Sequence, residues 1–186
     1  MCLPYGQRGD SRWAAGIAGA RIGVGDFEDG QVNTPGLAMM LGVMSPGDSV
    51  DEDDGILGND DDLGSYWYAG ISGPSLTARA VFAPDDNGNY PTYAGWAMDT
   101  FNQEDAFVEA FDPQGNLIAS YRYILGWDGW QFVGVHAPQG IGWIQSRFND
   151  NLGIDHVQYG YSIPEPAAPL LALAAGTAAL ARRRQG

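Results

Sequence analysis

An all-β fold, a β-sandwich or jelly roll of about eight strands, is predicted by three features of this 186-residue sequence. Short apolar or alternating runs recur at regular spacing, turn residues separate them, and the body shows no extended helical periodicity. The 27 glycines and 11 prolines are typical of a chain with many turns. Hydrophobic residues make up 45% of the chain, an ordinary share for a folded domain.

The predicted strands fall within residues 26–162, which we assign as one β-sandwich body. The first run is apolar and ends at a Ser-Pro-Gly turn, and the second alternates from Leu76 to Phe82 before an Asp/Asn/Gly turn at 85–89. A hairpin turn is predicted at 112–116, where proline presets the first corner and glycine allows a positive φ. In chain order the runs are residues 37–43, 75–82, 93–98, 106–111, 117–125, 131–136, 141–148 and 154–161.

Residues 1–25 form a small-residue-rich segment in which Arg8, Arg12 and Arg21 interrupt the apolar stretches. A secretory signal needs an uninterrupted apolar stretch, and this segment offers a poor one. We therefore expect a loosely structured N-terminal segment, or translated sequence from a misplaced start.

The charge balance excludes one large class of function. The chain carries 23 acidic residues against nine arginines and no lysine, for a net charge of −14. Such a chain is repelled by nucleic acid phosphates and by anionic membrane surfaces, so nucleic-acid binding is not expected. Cys2 is the single cysteine of the sequence, so neither an internal disulfide nor a Cys-x-x-Cys metal site can form.

The densest acidic run, residues 48–62, contains eight carboxylates. One interpretation is a solvated acidic loop; the other is a calcium site, because Ca²⁺ takes several oxygen ligands and loop carboxylates suit it. Asp155 is a second candidate because it interrupts a strand-like run, and in other sandwich modules such an aspartate often joins an early loop at a structural ion. The predicted Ca²⁺ ligands are Asp51, Asp53, Asp54 and Asp155.

Aromatic residues make up 12% of the chain. Trp127, Asp128 and Trp130 lie in a predicted hairpin tip, where rings are hard to bury. Exposed rings can stack on sugars beside an aspartate that accepts hydroxyl hydrogen bonds, which predicts a carbohydrate site. The alternative is that these rings fill the core, as we expect for Trp96 and Trp143.

Signs of an enzyme are weak. The two histidines, His136 and His156, lie in separate strand-like runs, and the zinc, nucleophile-elbow and dinucleotide motifs are absent from the sequence. Paired carboxylates for glycan cleavage remain open, and Glu109, between Phe107 and Phe111, is the best catalytic candidate. We therefore predict a non-catalytic protein, with a sandwich-fold glycan hydrolase or lyase as the alternative.

The composition changes abruptly at residues 163–186. Pro164, Glu165 and Pro166 precede an uncharged stretch at 167–181, predicted to form a short apolar helix. Such a helix reaches about 22 Å, against a hydrocarbon core of about 30 Å, so we expect only transient membrane insertion. By the positive-inside rule, an arginine cluster would hold the C-terminus on the cytoplasmic side. The cluster consists of Arg182, Arg183 and Arg184.

The order of these three parts resembles the PEP-CTERM sorting signal of bacterial surface proteins. The resemblance implies export, processing by an exosortase and a place at the cell envelope, cell surface or outside the cell. Parts of the body are also similar to domains common in such proteins, which are expected to be β-sandwiches. Those parts are residues 48–55, 91–96, 107–115, 132–135 and 153–160.

Together these observations predict an exported, non-catalytic β-sandwich protein of the cell surface or extracellular matrix. Extracellular polysaccharide is the expected partner, beside the processing enzyme, and Ca²⁺ is the expected stabilising ion. A structural protein without any ligand is a further alternative.

Overall fold

A computed structural model of the chain describes residues 21–25, 27, 29–46, 65–70, 76–100, 105–124, 131–149 and 151–161. Within these ranges eleven strands, numbered β1 to β11 in chain order, form two antiparallel sheets. The six-stranded sheet contains β1 (Arg21–Gly25), β3 (Val43–Pro46), β4 (Ser65–Gly70), β6 (Tyr93–Thr100), β9 (Gln131–His136) and β11 (Asn151–Tyr161). The five-stranded sheet contains β2 (Leu37–Met40), β5 (Thr77–Phe82), β7 (Asp105–Phe111), β8 (Leu117–Ile124) and β10 (Trp143–Arg147).

The strand orders are β3-β4-β11-β6-β9 and β2-β5-β10-β7-β8. Strand β6 pairs along one side of β11, while β4 and then β1 pair with successive parts of its other side. The prediction of an all-β sandwich is confirmed. The predicted C-terminal helix lies outside the described residues. Within the part of the chain that is described, no helix has the length and apolar character needed to cross a membrane.

The core lies between the two sheets, as the alternation predicts. Ala78, Ala80 and Phe82 of β5 are buried, and the Phe82 ring contacts the Tyr159 ring of the opposite sheet at 5.2 Å between centroids. Leu76, expected on the same face, precedes β5 and is 44% exposed. Trp96 is fully buried, which confirms its predicted place in the core.

One predicted strand is in fact two. The apolar run at 37–43 breaks at Leu41, whose φ is 63°, and the two halves enter different sheets. At Gly42 a side chain would collide with the Trp67 ring and with the carbonyl oxygen of Tyr68. Apolar composition does not reveal this corner, because both halves are equally apolar.

Two strands were not predicted. Arg21–Gly25 falls within the segment expected to be loose, yet it pairs with Gly160 and its neighbours as β1, so the folded body extends back to Arg21. Ser65–Gly70 is β4, a strand rich in aromatic rings that lies between β3 and β11.

The predicted turns at 85–89 and 112–116 are confirmed and share one hydrogen-bond pattern, whereas the turn predicted to begin at Ser45 is wrong, because Ser45 and Pro46 belong to β3. Oδ1 of Asp112 accepts from the backbone N–H groups of Gln114 and Asn116 at 3.0 and 2.8 Å. Oδ1 of Asp85 accepts in the same way from the residues two and four positions later, at 2.9 and 2.8 Å. The glycine before each final asparagine has a positive φ, 91° at Gly115, which a side chain would oppose.

Gly95, in the middle of β6, offers a test of the sheet's packing. A Cβ atom there would lie 2.5 Å from the carbonyl oxygen of Val133 and 2.8 Å from the Cα of Gly134. These are backbone atoms of the adjacent strand and cannot rotate away, so Gly95→Ala should cost about 1–3 kcal/mol of unfolding free energy. Urea denaturation would measure the change.

The matched control is Gly88→Asn. Gly88 has a φ of 81° with no atom within 4 Å of the Cβ position, and asparagine tolerates that conformation. We expect a change within about 0.5 kcal/mol. Equal stability of Gly95→Ala and the native chain would contradict the packing described.

Candidate functional site

Most of the residues predicted to form sites lie outside the described residues. Two candidates are described: Asp155, a predicted calcium ligand, lies on β11, and Glu109, the catalytic candidate, lies on β7. The sites outside the description are the calcium ligands Asp51, Asp53 and Asp54, the carbohydrate residues Trp127, Asp128 and Trp130, and the sorting residues Pro164, Glu165, Pro166, Arg182, Arg183 and Arg184.

Asp155 occurs at a β-bulge where the register between β11 and β6 shifts. Its side chain is fully buried. Oδ1 accepts from the backbone N–H of His156 at 2.6 Å, and Oδ2 lies 3.3 Å from Nδ1 of the same residue. Among the described residues no group of three or more His, Cys, Asp or Glu could hold a metal ion. The calcium site therefore stays a prediction, and its other ligands belong to the undescribed part.

The outer face of the six-stranded sheet carries polar side chains, but those at its centre are buried. Register places Asp155 opposite Ala97, which lies opposite Phe132 on its other side, and Phe132 is 5% exposed. Nearby, Gln158 is also 5% exposed. At one end of this face the rings of Tyr93 and His136 stack with centroids 4.3 Å apart. Because its central polar groups are buried, this face offers a ligand little access.

The outer face of the five-stranded sheet is more accessible, and strand register organises it in rows. Strand β10 pairs with β5 on one side and β7 on the other. Gln145 therefore lies opposite both Arg79 and Glu109. One row away on the same face, Trp143 lies opposite Phe111. One row away in the other direction, Arg147 lies opposite Phe107.

Four side chains of this face form a continuous hydrogen-bonded array, here called the polar ladder: Arg79, Gln145, Glu109 and Arg147. Nε and Nη2 of Arg79 donate to Oε1 of Gln145 at 3.2 and 2.8 Å. Nε2 of Gln145 donates to Oε2 of Glu109 at 2.8 Å. Nε and Nη2 of Arg147 donate to the two carboxylate oxygens of Glu109 at 3.0 and 2.7 Å. Every planar group in the ladder is thereby oriented by a neighbour.

The environment of Glu109 holds it as a carboxylate. The hydrogen bonds from Arg147 lower the pKa of Glu109 most, and Gln145 and the charge of Arg147 add to this against the opposing effect of burial. The general acid of a glycan hydrolase needs a raised pKa. Glu109, the best catalytic candidate of the sequence, therefore does not fit the role of general acid, and both of its oxygens already accept hydrogen bonds.

Aromatic rings flank the polar ladder on both sides. Phe111 and Trp143 stack at 5.0 Å between centroids with an interplanar angle of 15°. The Arg79 guanidinium carbon lies 5.5 Å from the centroid of the Trp143 ring, and that of Arg147 lies 5.6 Å from the centroid of the Phe107 ring. Trp143 was expected in the core, but it lies on this outer face because its register puts it beside Phe111.

A shallow recess of about 260 Å³ adjoins the end of the ladder at Arg147 and Phe107. The Phe107 ring that borders the recess is 37% exposed. The first and last rows are separated by four residues along a strand, or about 14 Å at 3.4 Å per residue. The face thus presents flat rings and oriented polar groups over a length that several sugar rings could occupy.

Sequence reasoning found Glu109 between its two aromatic neighbours but missed Arg79, Gln145 and Arg147. A local signal existed, since Gln145 and Arg147 share one face of a predicted strand. Their proximity to Glu109 depends on strand pairing, which spacing along the chain does not reveal.

No protein-family model and no curated protein matches this chain. Several solved structures resemble it in strand arrangement. The K2 cleaved adhesin domain of Lys-gingipain is 9% identical, with a TM-score of 0.49 over 75% of this chain and 99% of that one. The K3 cleaved adhesin domain of Lys-gingipain from Porphyromonas gingivalis is 14% identical, with a TM-score of 0.44 over 77% and 99%. A family 6 carbohydrate-binding module is 12% identical, with a TM-score of 0.39 over 75% and 93%. Likeness at this level identifies no ligand for this chain.

Glu109→Gln tests the electrostatics of the ladder. Because the pKa of Glu109 is lower in the folded chain than its ordinary value of 4.5, its stabilising effect is complete above that value. It disappears as the pH falls through the lower folded pKa. The variant should lose about 1–2 kcal/mol at pH 7, and the deficit should shrink in acid. Urea denaturation from pH 7 down to pH 3 would measure it.

Asp86→Asn is the control, because it removes an exposed carboxylate from the turn at 85–89. A Glu109→Gln deficit that stays constant across the pH range would show that the ion pair does not stabilise the fold.

Proposed function

We propose that this protein is a non-catalytic polysaccharide-binding β-sandwich, and that the outer face of the five-stranded sheet binds the glycan. One observation carries the proposal: the polar ladder lies between Trp143 with Phe111 on one side and Phe107 on the other. Flat rings alternate with planar hydrogen-bonding groups whose orientation is already set.

The chemistry of a sugar ring matches that alternation. Its C–H face is apolar and packs on an aromatic ring, while its hydroxyl groups lie at the edge and need donors and acceptors. Arg79 and Arg147 supply N–H donors, and Glu109, which is 8% exposed, holds the Arg147 guanidinium in place. Because these groups are held by one another, binding would restrict few additional side-chain rotations.

The geometry also favours binding over cleavage. A hydrolase needs two carboxylates in defined roles on either side of the scissile bond. The described side chains that donate hydrogen bonds to Glu109 are Gln145 and Arg147, which leave this carboxylate little freedom to attack or to protonate a substrate. A glycan hydrolase or lyase is therefore the weaker candidate.

Export and surface sorting belong to the same proposal. Their support is the order of Pro164-Glu165-Pro166, the uncharged stretch at 167–181 and the terminal arginines. On this proposal an exosortase-type enzyme processes the tail, and the body meets polysaccharide at the cell surface or in the surrounding matrix.

Phe107→Ala tests the glycan-binding face. The Phe107 ring is 37% exposed, so its removal should leave the fold intact while it deletes one stacking platform. We expect affinity for oligosaccharides bound by the native chain to fall about tenfold, because a partly exposed ring contact contributes about 1–2 kcal/mol. Calorimetric titration of the full chain against a panel of soluble polysaccharides would measure it.

The matched control is Tyr121→Ala, which removes a ring that is 42% exposed. By register Tyr121 lies opposite Val108, which packs in the core, and so belongs to the other face of the same sheet. Its removal should leave affinity unchanged. No measurable affinity of the native chain for any saccharide would instead favour a structural protein without a ligand.

Calcium stabilisation is the second part of the proposal that a simple measurement tests. When the Ca²⁺ concentration is a hundred times the Kd of the site, binding adds about 2.7 kcal/mol to the free energy of unfolding. That gain raises the Tm by several degrees. Thermal melting of the full chain with Ca²⁺ and with a chelator should show that rise. The increment should be absent in Asp155→Asn, and Mg²⁺ should reproduce little of it. Identical melting curves with Ca²⁺ and with chelator would eliminate the calcium site.

A further inference from the structure

The few basic residues of this acidic chain are unevenly placed. The structure describes four of the nine arginines, and three of these lie on the outer face of the five-stranded sheet: Arg79, Arg122 and Arg147. Among the acidic residues whose side chains are described, Glu109 is the one that belongs to this face. Among the side chains that the structure describes, this face thus carries three arginines and one carboxylate, in a chain whose net charge is −14.

Arg147 has a negatively charged partner, whereas the partners of Arg79 are neutral. Arg147 forms a two-point ion pair with Glu109, so its charge is compensated. Arg79 donates two hydrogen bonds to the amide oxygen of Gln145 and lies over the Trp143 ring. Both of these partners are neutral, so neither compensates the charge of Arg79.

The polar ladder fixes the orientation of the Gln145 amide and therefore that of Arg79. Gln145 donates its amide nitrogen to Glu109 at 2.8 Å, and this bond turns its oxygen toward Arg79. A flipped amide would place N–H groups against the guanidinium of Arg79 and the amide oxygen against the carboxylate of Glu109, and both contacts are unfavourable. Glu109 thus orients Arg79 through Gln145 while it compensates only Arg147.

We propose that Arg79 binds a carboxylate of the glycan, and that the ligand of this face is a polysaccharide of uronic acids. The inference rests on the proposed glycan-binding function and names the class of sugar. A guanidinium has five N–H donors, of which two bond to Gln145, so three remain for a ligand. A planar carboxylate matches that geometry.

The overall negative charge does not prevent such binding. At physiological ionic strength exposed charges are screened over about 8 Å. The carboxylates in the turn that begins at Asp85 lie beyond the end of β5, whereas Arg79 lies in the middle of that strand. A ligand carboxylate in contact with Arg79 is therefore much closer to Arg79 than to the carboxylates of that turn.

Oligogalacturonate and its methyl-esterified form are a matched pair of probes for the full chain. The two share one sugar backbone, and esterification removes the carboxylate charge. By calorimetry the native chain should bind the acid form about tenfold more tightly. Arg79→Gln should remove that preference, so that the variant binds the acid form and the ester with equal affinity.

Arg21→Gln is the charge-matched control, because Arg21 lies on β1 of the other sheet. It changes the net charge equally and should keep the native preference for the acid form. Thermal melting of both variants checks that each is folded.

The outcomes separate the two proposals. Equal binding of acid and ester, or a preference that survives Arg79→Gln, overturns the role of Arg79 and leaves glycan binding in place. Binding of a neutral oligosaccharide without binding of the acid form also overturns the role of Arg79 and leaves glycan binding in place. If the native chain binds no saccharide in either form or in the neutral panel, both proposals fail.

Discussion

Strand β10 lies between β5 and β7, and its register with both decides which side chains on the outer face become neighbours. Gln145 is the central contact, since its amide accepts from Arg79 and donates to Glu109. A shift of one residue would turn Gln145 inward and bring Ile144 to the surface. Ile144 is 1% exposed, so its burial in the core holds the register, and the polar ladder depends on that register.

The two sheets use their outer faces differently. On the six-stranded sheet, a bulge at His156, whose φ is 44°, places the buried polar groups of Asp155 and Gln158 at the centre of the face. There the polar groups are shielded from solvent. On the five-stranded sheet Gln145 and Glu109 are also buried, but Arg79 is half-buried and Arg147 is exposed, so a ligand can reach the two arginines. This difference in access assigns the proposed function to the smaller sheet.

The fold class follows from patterns that are local in the sequence. Alternation of apolar residues predicted the buried face of β5, and turn residues predicted the loop at 112–116, because side-chain direction in a strand has a period of two. The break at Leu41 was not predictable, since its backbone conformation depends on the two sheets that the flanking strands join. Strand β1 was missed for a similar reason, because it is defined by pairing with β11.

By itself, the sequence determined the all-β class, the strongly negative charge and the placing of Glu109 between two rings. Only the tertiary structure decided what Glu109 does, because Gln145 and Arg147 follow it by 36 and 38 positions along the chain. Strand alternation is a local property of the backbone, whereas strand pairing is chosen by the burial of the whole core. The same pairing left Arg79 with a neutral partner, and the proposal of an acidic glycan rests on that partner.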